Sequence, residues 1–245
     1  FEILTSESNE IMVDATDFYL QDTHGVGERL TDMEQGAYKL DLSKSGLNLS
    51  GIKNFPKNTE VETFITVTGQ AKGAYIRSVV PTPNIVTVKQ RHSFVELPDD
   101  DYTPREFDSR AGYMSISFMD FASPIDEQIV KKFIARHRLI KKQPHLEISE
   151  PVDPIIYYLD RGTPEPVRSA LIEGGNWWNE AFEYAGFKNA FRVEVAPEGM
   201  DLLDVRYNAI QWVHISTRGW SYGASVKDPR TVSYTHLRAH ETVYN

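Results

Sequence analysis

The chain has 245 residues, with 26 Lys and Arg against 35 Asp and Glu, a formal net charge of −9 and no cysteine. That length makes one large domain or two ordinary ones. The acidic balance argues against nucleic acid, the lack of Cys excludes disulfides and thiolate metal sites, and no apolar run is long enough to span a membrane.

Residues 1–122 read as a β-rich domain. In "EVETFITVTGQAKGAYIRSVV", Val61, Thr63, Ile65 and Val67 alternate with Glu62, Phe64, Thr66 and Thr68. A turn over Gly69 to Gly73 and a second extended run from Ala74 to Val80 complete an expected hairpin. "IVTVKQRHSFVEL" is a further strand after the breaker "PTPN", and "DATDFYL" and "AYKLDL" are weaker strand candidates. "ELPDDDYTPREFDSRAG" is a loop, and "YMSISFM" alternates again with Met114, Ile116 and Phe118 on one face.

Residues 123–154 read as a helix and a linker. Ser123 is placed as N-cap with Pro124 at the first position, acids in the first turn and bases in the last. Ile125, Ile129, Phe133 and either Ile134 or His137 form the apolar stripe, and "ARHRLIKK" is the basic helix end rather than a binding patch. His137 is expected to be solvated or stabilised by the helix dipole. "KKQPHLEISEPVDP" has no periodicity and is expected to link two domains near 141–154.

From 155 to 231 the order is β-α-β-β-β, so the fold class is α+β. "IIYYLD" is a short strand and "RGTPEPVRSALIEGGNWWNEAFEYAGF" a long helix capped by Thr163. Val167, Leu171, Gly174, Trp178, Ala181, Phe182 and Ala185 share its inner face, which leaves Trp177 partly exposed, and Gly186 is the stop. "FRVEVAP", "DVRYNAIQWVH" and "WSYGASV" are the following strands, the last a possible edge, and "KDPRT" is a turn.

Isolated residues carry bland readings. His24 and His92 lack spaced partners for a metal, and His214 at the end of its strand is expected to be structural. The acidic run Asp99 to Asp101 reads as solvated loop rather than a calcium site. "GVGE" is a turn, not a phosphate loop, since neither Lys-Ser/Thr nor a helix opening is expected after it.

The end, "RTVSYTHLRAHETVYN", contains His240-Glu241, the first two letters of H-E-x-x-H, but Tyr244 stands where the second His belongs. His236 and His240 alone make a bare H-x-x-x-H. Val232 to Thr242 resembles one translated frame of a common transposase sequencing adapter over eleven consecutive residues. The natural sequence is therefore expected to end at Thr231, with 232–245 a non-native tail outside the fold. Since Phe1-Glu2 opens without Met, truncation at both ends is expected.

The segments "YLDRGTPEPVRSALIEGGNWWNEAFEYAGF", "DVRYNAIQWVH" and "STRGWSYGASVKDPRT" resemble a family of bacterial, Bacteroidota-type zinc-dependent metalloproteases of metzincin type. "NFPKNTE", "RSVVPTP" and "HSFVELPDD" resemble the accessory domain that precedes the catalytic domain there. The resemblance implies 1–122 as accessory domain, 155–231 as the amino-terminal part of the catalytic domain, and a secreted or periplasmic location. It also implies zinc in the full-length parent, held by an extended H-E-x-x-H-x-x-G-x-x-H that lies beyond another strand after "DPRT". No catalytic or metal residue is therefore assigned in this chain, no zinc is expected to bind it, and no activity is expected of it.

One element of that architecture falls within the chain. The strand ahead of the zinc motif is an open edge to which a peptide or protein substrate adds as an antiparallel strand. Trp220, Ser221, Tyr222, Gly223, Ala224, Ser225 and Val226 are the candidates, with Gly223 and Ala224 allowing close backbone approach. An ordinary strand with a glycine bulge is the competing reading. For the whole chain, a non-catalytic β-rich binding or scaffold protein is the alternative.

Overall fold

The computed structural model describes residues 2–7, 10–99, 101–214, 221–230 and 232–243, without the side chains of Glu7, His214, Tyr222 and 234–243. It is β-rich, with 37% strand against 18% helix. Two compact units divide it, Phe1–Val95 and Glu96–Asn245. Among the described residues no helix is long and apolar enough to cross a membrane.

The first unit runs β1 (Glu2–Glu7), β2 (Glu10–Asp14), α1 (Thr16–Tyr19), α2 (Val26–Asp32), β3 (Gly36–Leu40), β4 (Gly46–Leu47), β5 (Lys53–Asn54), β6 (Asn58–Ala71), α3 (Ala74–Val79) and β7 (Ile85–Val95). β1 and β2 form a separate two-stranded ribbon, and β6 is the spine of the main sheet. β7 pairs with β6 antiparallel from Asn58↔Val95 to Thr68↔Ile85, while β3, β4 and β5 share its other edge. Val67, Tyr38, Ile76 and Val86 make the core on one face, with Val26 and Leu30 of α2 packed against it. The polar face of β6 is buried as well: Glu60, Glu62 and Thr66 are 2%, 6% and 1% exposed. Glu62 is satisfied there by Asn48 Nδ2 at 2.6 Å, Arg91 Nη2 at 2.7 Å and Lys89 Nζ at 3.1 Å.

The second unit begins with the ribbon β8 (Ser115–Met119) and β9 (Val130–Ile134), which pair antiparallel. Then come β10 (Ile155–Leu159), α4 (Val167–Asn176), α5 (Trp178–Tyr184), β11 (Phe191–Val195), β12 (Asn208–His214), β13 (Tyr222–Lys227) and β14 (Tyr234–Val243). These strands form a five-stranded sheet in the order β11-β10-β12-β14-β13. All its pairings are parallel except β13 with β14. The paired helices carry the crossover from β10 to β11, as a parallel pair requires. Phe182 stacks on Phe191 at 5.7 Å, and Gly175 lets α4 approach Val193, where an added Cβ would lie 2.4 Å from Val193 Cγ2.

Several expectations need correction. Ala74 to Val80 is not the second arm of a hairpin but α3, and β7 is the true partner of β6. Gln35 Oε1 accepts from the Ile76 N–H at 2.9 Å, which turns the chain into a helical turn and buries Ile76. Asp14 to Leu20 holds α1 rather than a strand. A helix does open after Gly25, because the Asp22 carboxylate accepts from the N–H groups of Val26 and Gly27 at 2.9 and 3.1 Å. A carboxylate already fills that helix end, so a phosphate has no place there.

The expected helix from Ser123 is absent. Its middle is β9, and Ile125 is fully exposed at 106%. Ser123 Oγ is buried without a partner instead of capping anything. The backbone ladder to β8 outweighs the helical spacing, as tertiary pairing commonly does. The stretch read as a linker folds within the second unit: Lys141 bridges Pro151, Ser149 bridges Phe187, and Ser149 is buried.

The long helix is divided at Trp177, and Pro166 rather than Thr163 stands at its cap. Thr163 is buried with no partner for Oγ1. Trp178 is 63% exposed, so it is not core, and Trp177 is 67% exposed. The inner face is rotated toward Ile172, Gly175, Asn176, Asn179 and Phe182 because two asparagines bond the strand beneath them. Finally, the tail set aside from the fold contributes β14, between β12 and β13. An extended segment with enough backbone to pair on both sides fills that slot, whatever its origin.

Candidate functional site

The two borders of the five-stranded sheet are built differently. At the β11 border, Asn176 closes the outer edge. Its Oδ1 accepts from the Val193 N–H at 2.9 Å and its Nδ2 donates to the Val193 carbonyl at 3.1 Å, while Asn179 Oδ1 accepts from the Phe191 N–H at 3.4 Å. A side-chain amide thus replaces the missing neighbour strand, one of the ways a sheet edge is blunted.

The opposite border is β13. It pairs with β14 from Tyr222↔His240 to Lys227↔Tyr234 and ends the sheet. Ser221, Gly223, Ala224, Ser225 and Val226 are exposed. Among the described residues, a Cβ added at Gly223 would meet nothing within 4 Å. The register irregularity lies between Val226 and Lys227, not at Gly223. The strand therefore presents exposed residues, small at Gly223, Ala224 and Ser225, over part of the stretch expected to pair with a peptide. Trp220 lies outside the described residues, and the side chain of Tyr222 is likewise undescribed.

The turn after β13 is locked by charge. Asp228 is fully buried; its Oδ1 accepts from the Arg230 N–H at 2.9 Å and Nε at 3.1 Å, and its Oδ2 from Arg230 Nη2 at 2.9 Å. Arg138 faces the same carboxylate with Nη2 at 3.8 Å from Oδ2. Its Nε donates to Ser233 Oγ at 3.0 Å, and its Nη1 to Asp99 Oδ1 at 2.6 Å. Asp99 is exposed loop, as expected, and also an ion-pair partner: the Arg138 guanidinium holds its carboxyl below the usual carboxylate range.

Sequence reasoning passed over this cluster, although a signal was present. Asp-x-Arg occurs at Asp108–Arg110, Asp204–Arg206 and Asp228–Arg230. Each time the Asp Oδ1 accepts the Arg N–H, at 2.9, 3.1 and 2.9 Å, and the guanidinium returns to the same carboxylate. The pattern is a turn that neutralises its own acid.

The histidines do not converge. His24 is exposed, and His92 packs on Phe18 and Tyr19 with Nε2 2.9 Å from Gln90 Nε2. His137 is not on a helix and is half-buried; burial pushes it down to about 4. His214 ends β12, with its side chain undescribed. Zinc needs three protein ligands and an open position for catalysis. Among the described residues no three His, Asp or Glu side chains come together, so they do not supply that set.

A family profile described as Domain of unknown function (DUF5117) matches residues 1–142. That match covers the first unit and runs through β9 into the second, ending before β10. No curated protein and no solved structure matches the chain.

Proposed function

The chain belongs to the DUF5117 family over residues 1–142, and with that as premise we propose that its second unit binds an extended polypeptide along β13, as part of an exported zinc-dependent endopeptidase. The asymmetry of the sheet carries the reading: β11 is closed by Asn176, whereas β13 ends the sheet with exposed, small residues. An incoming strand would add antiparallel to β13 through main-chain hydrogen bonds, with little side-chain bulk to keep it away. The order β10-α4-α5-β11-β12-β13 supports the likeness to the amino-terminal part of a metzincin-type domain. In the parent protein, zinc-activated water would hydrolyse the bound peptide, with ligands beyond Thr231.

Hydrogen exchange of residues 222–227, with and without casein as an unfolded probe, tests the binding step. Slowing of these amides by about ten-fold or more, with β10 unchanged, is expected. No change removes the proposed role of β13. Sequencing the source locus past the Thr231 codon tests the catalytic step. A strand followed by H-E-x-x-H-x-x-G-x-x-H makes the parent an endopeptidase. Protection of β13 without such a continuation makes it a peptide-binding scaffold. Fractionation of the native host, with the protein recovered from the cytoplasm, would remove the export.

A further inference from the structure

We propose that Arg138 is a positioning residue that fixes the β13 edge from within the family-matched region, an inference that rests on β13 being the peptide-binding strand. The Asp228 turn closes on itself through Arg230 and through two backbone bonds, Asp228 N–H to the Ser233 carbonyl at 2.9 Å and Val232 N–H to the Asp228 carbonyl at 2.8 Å. Those local bonds shape the turn, and β14 is laddered to β12 from Ala209↔Arg238 to His214↔Val243, but neither ties the base of the β13–β14 hairpin to residues outside the sheet.

Arg138 supplies that tie. Its guanidinium spans three points: Ser233 Oγ at 3.0 Å, the Asp228 carboxylate at 3.8 Å, and Asp99, through Oδ1 at 2.6 Å and the carbonyl at 3.1 Å. Tyr102 lies under the guanidinium, 4.9 Å from its centre, which fixes the plane of the fork. Arg230 reaches the same segment by donating from Nη2 to the Pro98 carbonyl at 2.5 Å. Arg136 adds a backbone bridge to Ser233. The base of the hairpin is thus tied to Pro98, Asp99, Arg136 and Arg138, all inside the matched stretch, while β13 lies outside it.

A planar fork that meets several acceptors at once cannot be replaced by a point charge. The buried Asp228 keeps Arg230 as its partner when Arg138 is removed, so the loss is local rather than global. This separates positioning from general stability.

The test uses the 245-residue chain and needs no ligand for its first reading. In Arg138→Ala, exchange of residues 222–227 should rise about ten-fold or more while β10 and β6 stay as in the parent chain. Arg138→Lys should not restore the protection. If Arg138→Ala does not fold, Asp99→Asn, which cuts one exposed anchor, should raise exchange in β13 alone by a smaller factor. Casein is then added: the parent chain should show protection of β13 and Arg138→Ala should lose it at the same concentration. Unchanged β13 exchange in the variants, a rise shared equally by β10, or full rescue by Lys overturns the positioning role. If the parent chain gains no protection from casein while the free-chain differences hold, the peptide-binding reading fails and the clamp stands.

Discussion

Glu62 sits in the middle of β6 with its carboxylate buried, and Asn48, Lys89 and Arg91 hold it down to about 2. The folded value lies below the ordinary one of 4.5, so the stabilisation is present above about pH 4.5 and is lost as pH falls through the folded value. Both cations reach solvent, so Glu62→Gln should cost only on the order of 2 kcal/mol at pH 7 and flatten urea stability between pH 4.5 and 2. His137 works in the same direction by another cause. Burial favours its neutral form down to about pH 4, so its contribution, roughly 1–3 kcal/mol, is present above about pH 6.5 and falls away toward 4. His137→Leu should remove that acid sensitivity, and an imidazole NMR titration with a midpoint near 6.5 would show the burial to be wrong. Asn176→Ala strips both main-chain partners from Val193 and should cost roughly 1–3 kcal/mol by urea unfolding.

At the scale of the element, α4 and α5 show how far a one-dimensional pattern reaches. The helical period and the β-α-β order were legible, but the choice of inner face was not. Tryptophan is the larger hydrophobe, yet Asn176 and Asn179 face the sheet because β11 is an edge strand whose N–H and C=O groups need partners. Phe182→Ala should therefore cost roughly 3 kcal/mol and Trp178→Ala well under about 1 kcal/mol, measured as urea midpoints at constant slope. The strands β6 and β8 were readable from alternation, and β7 and β13 from the breaker and the turn beside them. α3 was not: six residues fit one turn of helix and a short strand equally, and Gln35, forty-one residues away from Ile76, decides between them. β9 failed in the opposite sense. Ser123, Pro124 and the basic end spelled a helix, but β8 offered a backbone partner. Of the site, the edge strand was legible and its clamp was not, because Arg138 and Ser233 are 95 residues apart.

Across the whole molecule, the most consequential disagreement between pattern and structure concerns the last segment. β14 is central in the sheet, with β12 on one side and β13 on the other. If the segment 234–243 is foreign to the natural chain, it still supplies backbone, and main-chain pairing asks only for extended conformation and length. Among the described residues β13 has no other strand neighbour, so its place depends on β14 being there. A chain ending at Arg230 should keep β10, β11 and their helices, whose pairings do not involve β14, and should leave the first unit untouched. Its residues 222–227 should exchange at nearly the rate of an open chain, and Gly223→Pro should then have no further effect. In the 245-residue chain the same Gly223→Pro should lower protection across β13, because it removes a main-chain donor. Equal protection of β13 in both lengths would mean that β14 does not hold the edge, and the slot beside β12 would then belong to another segment.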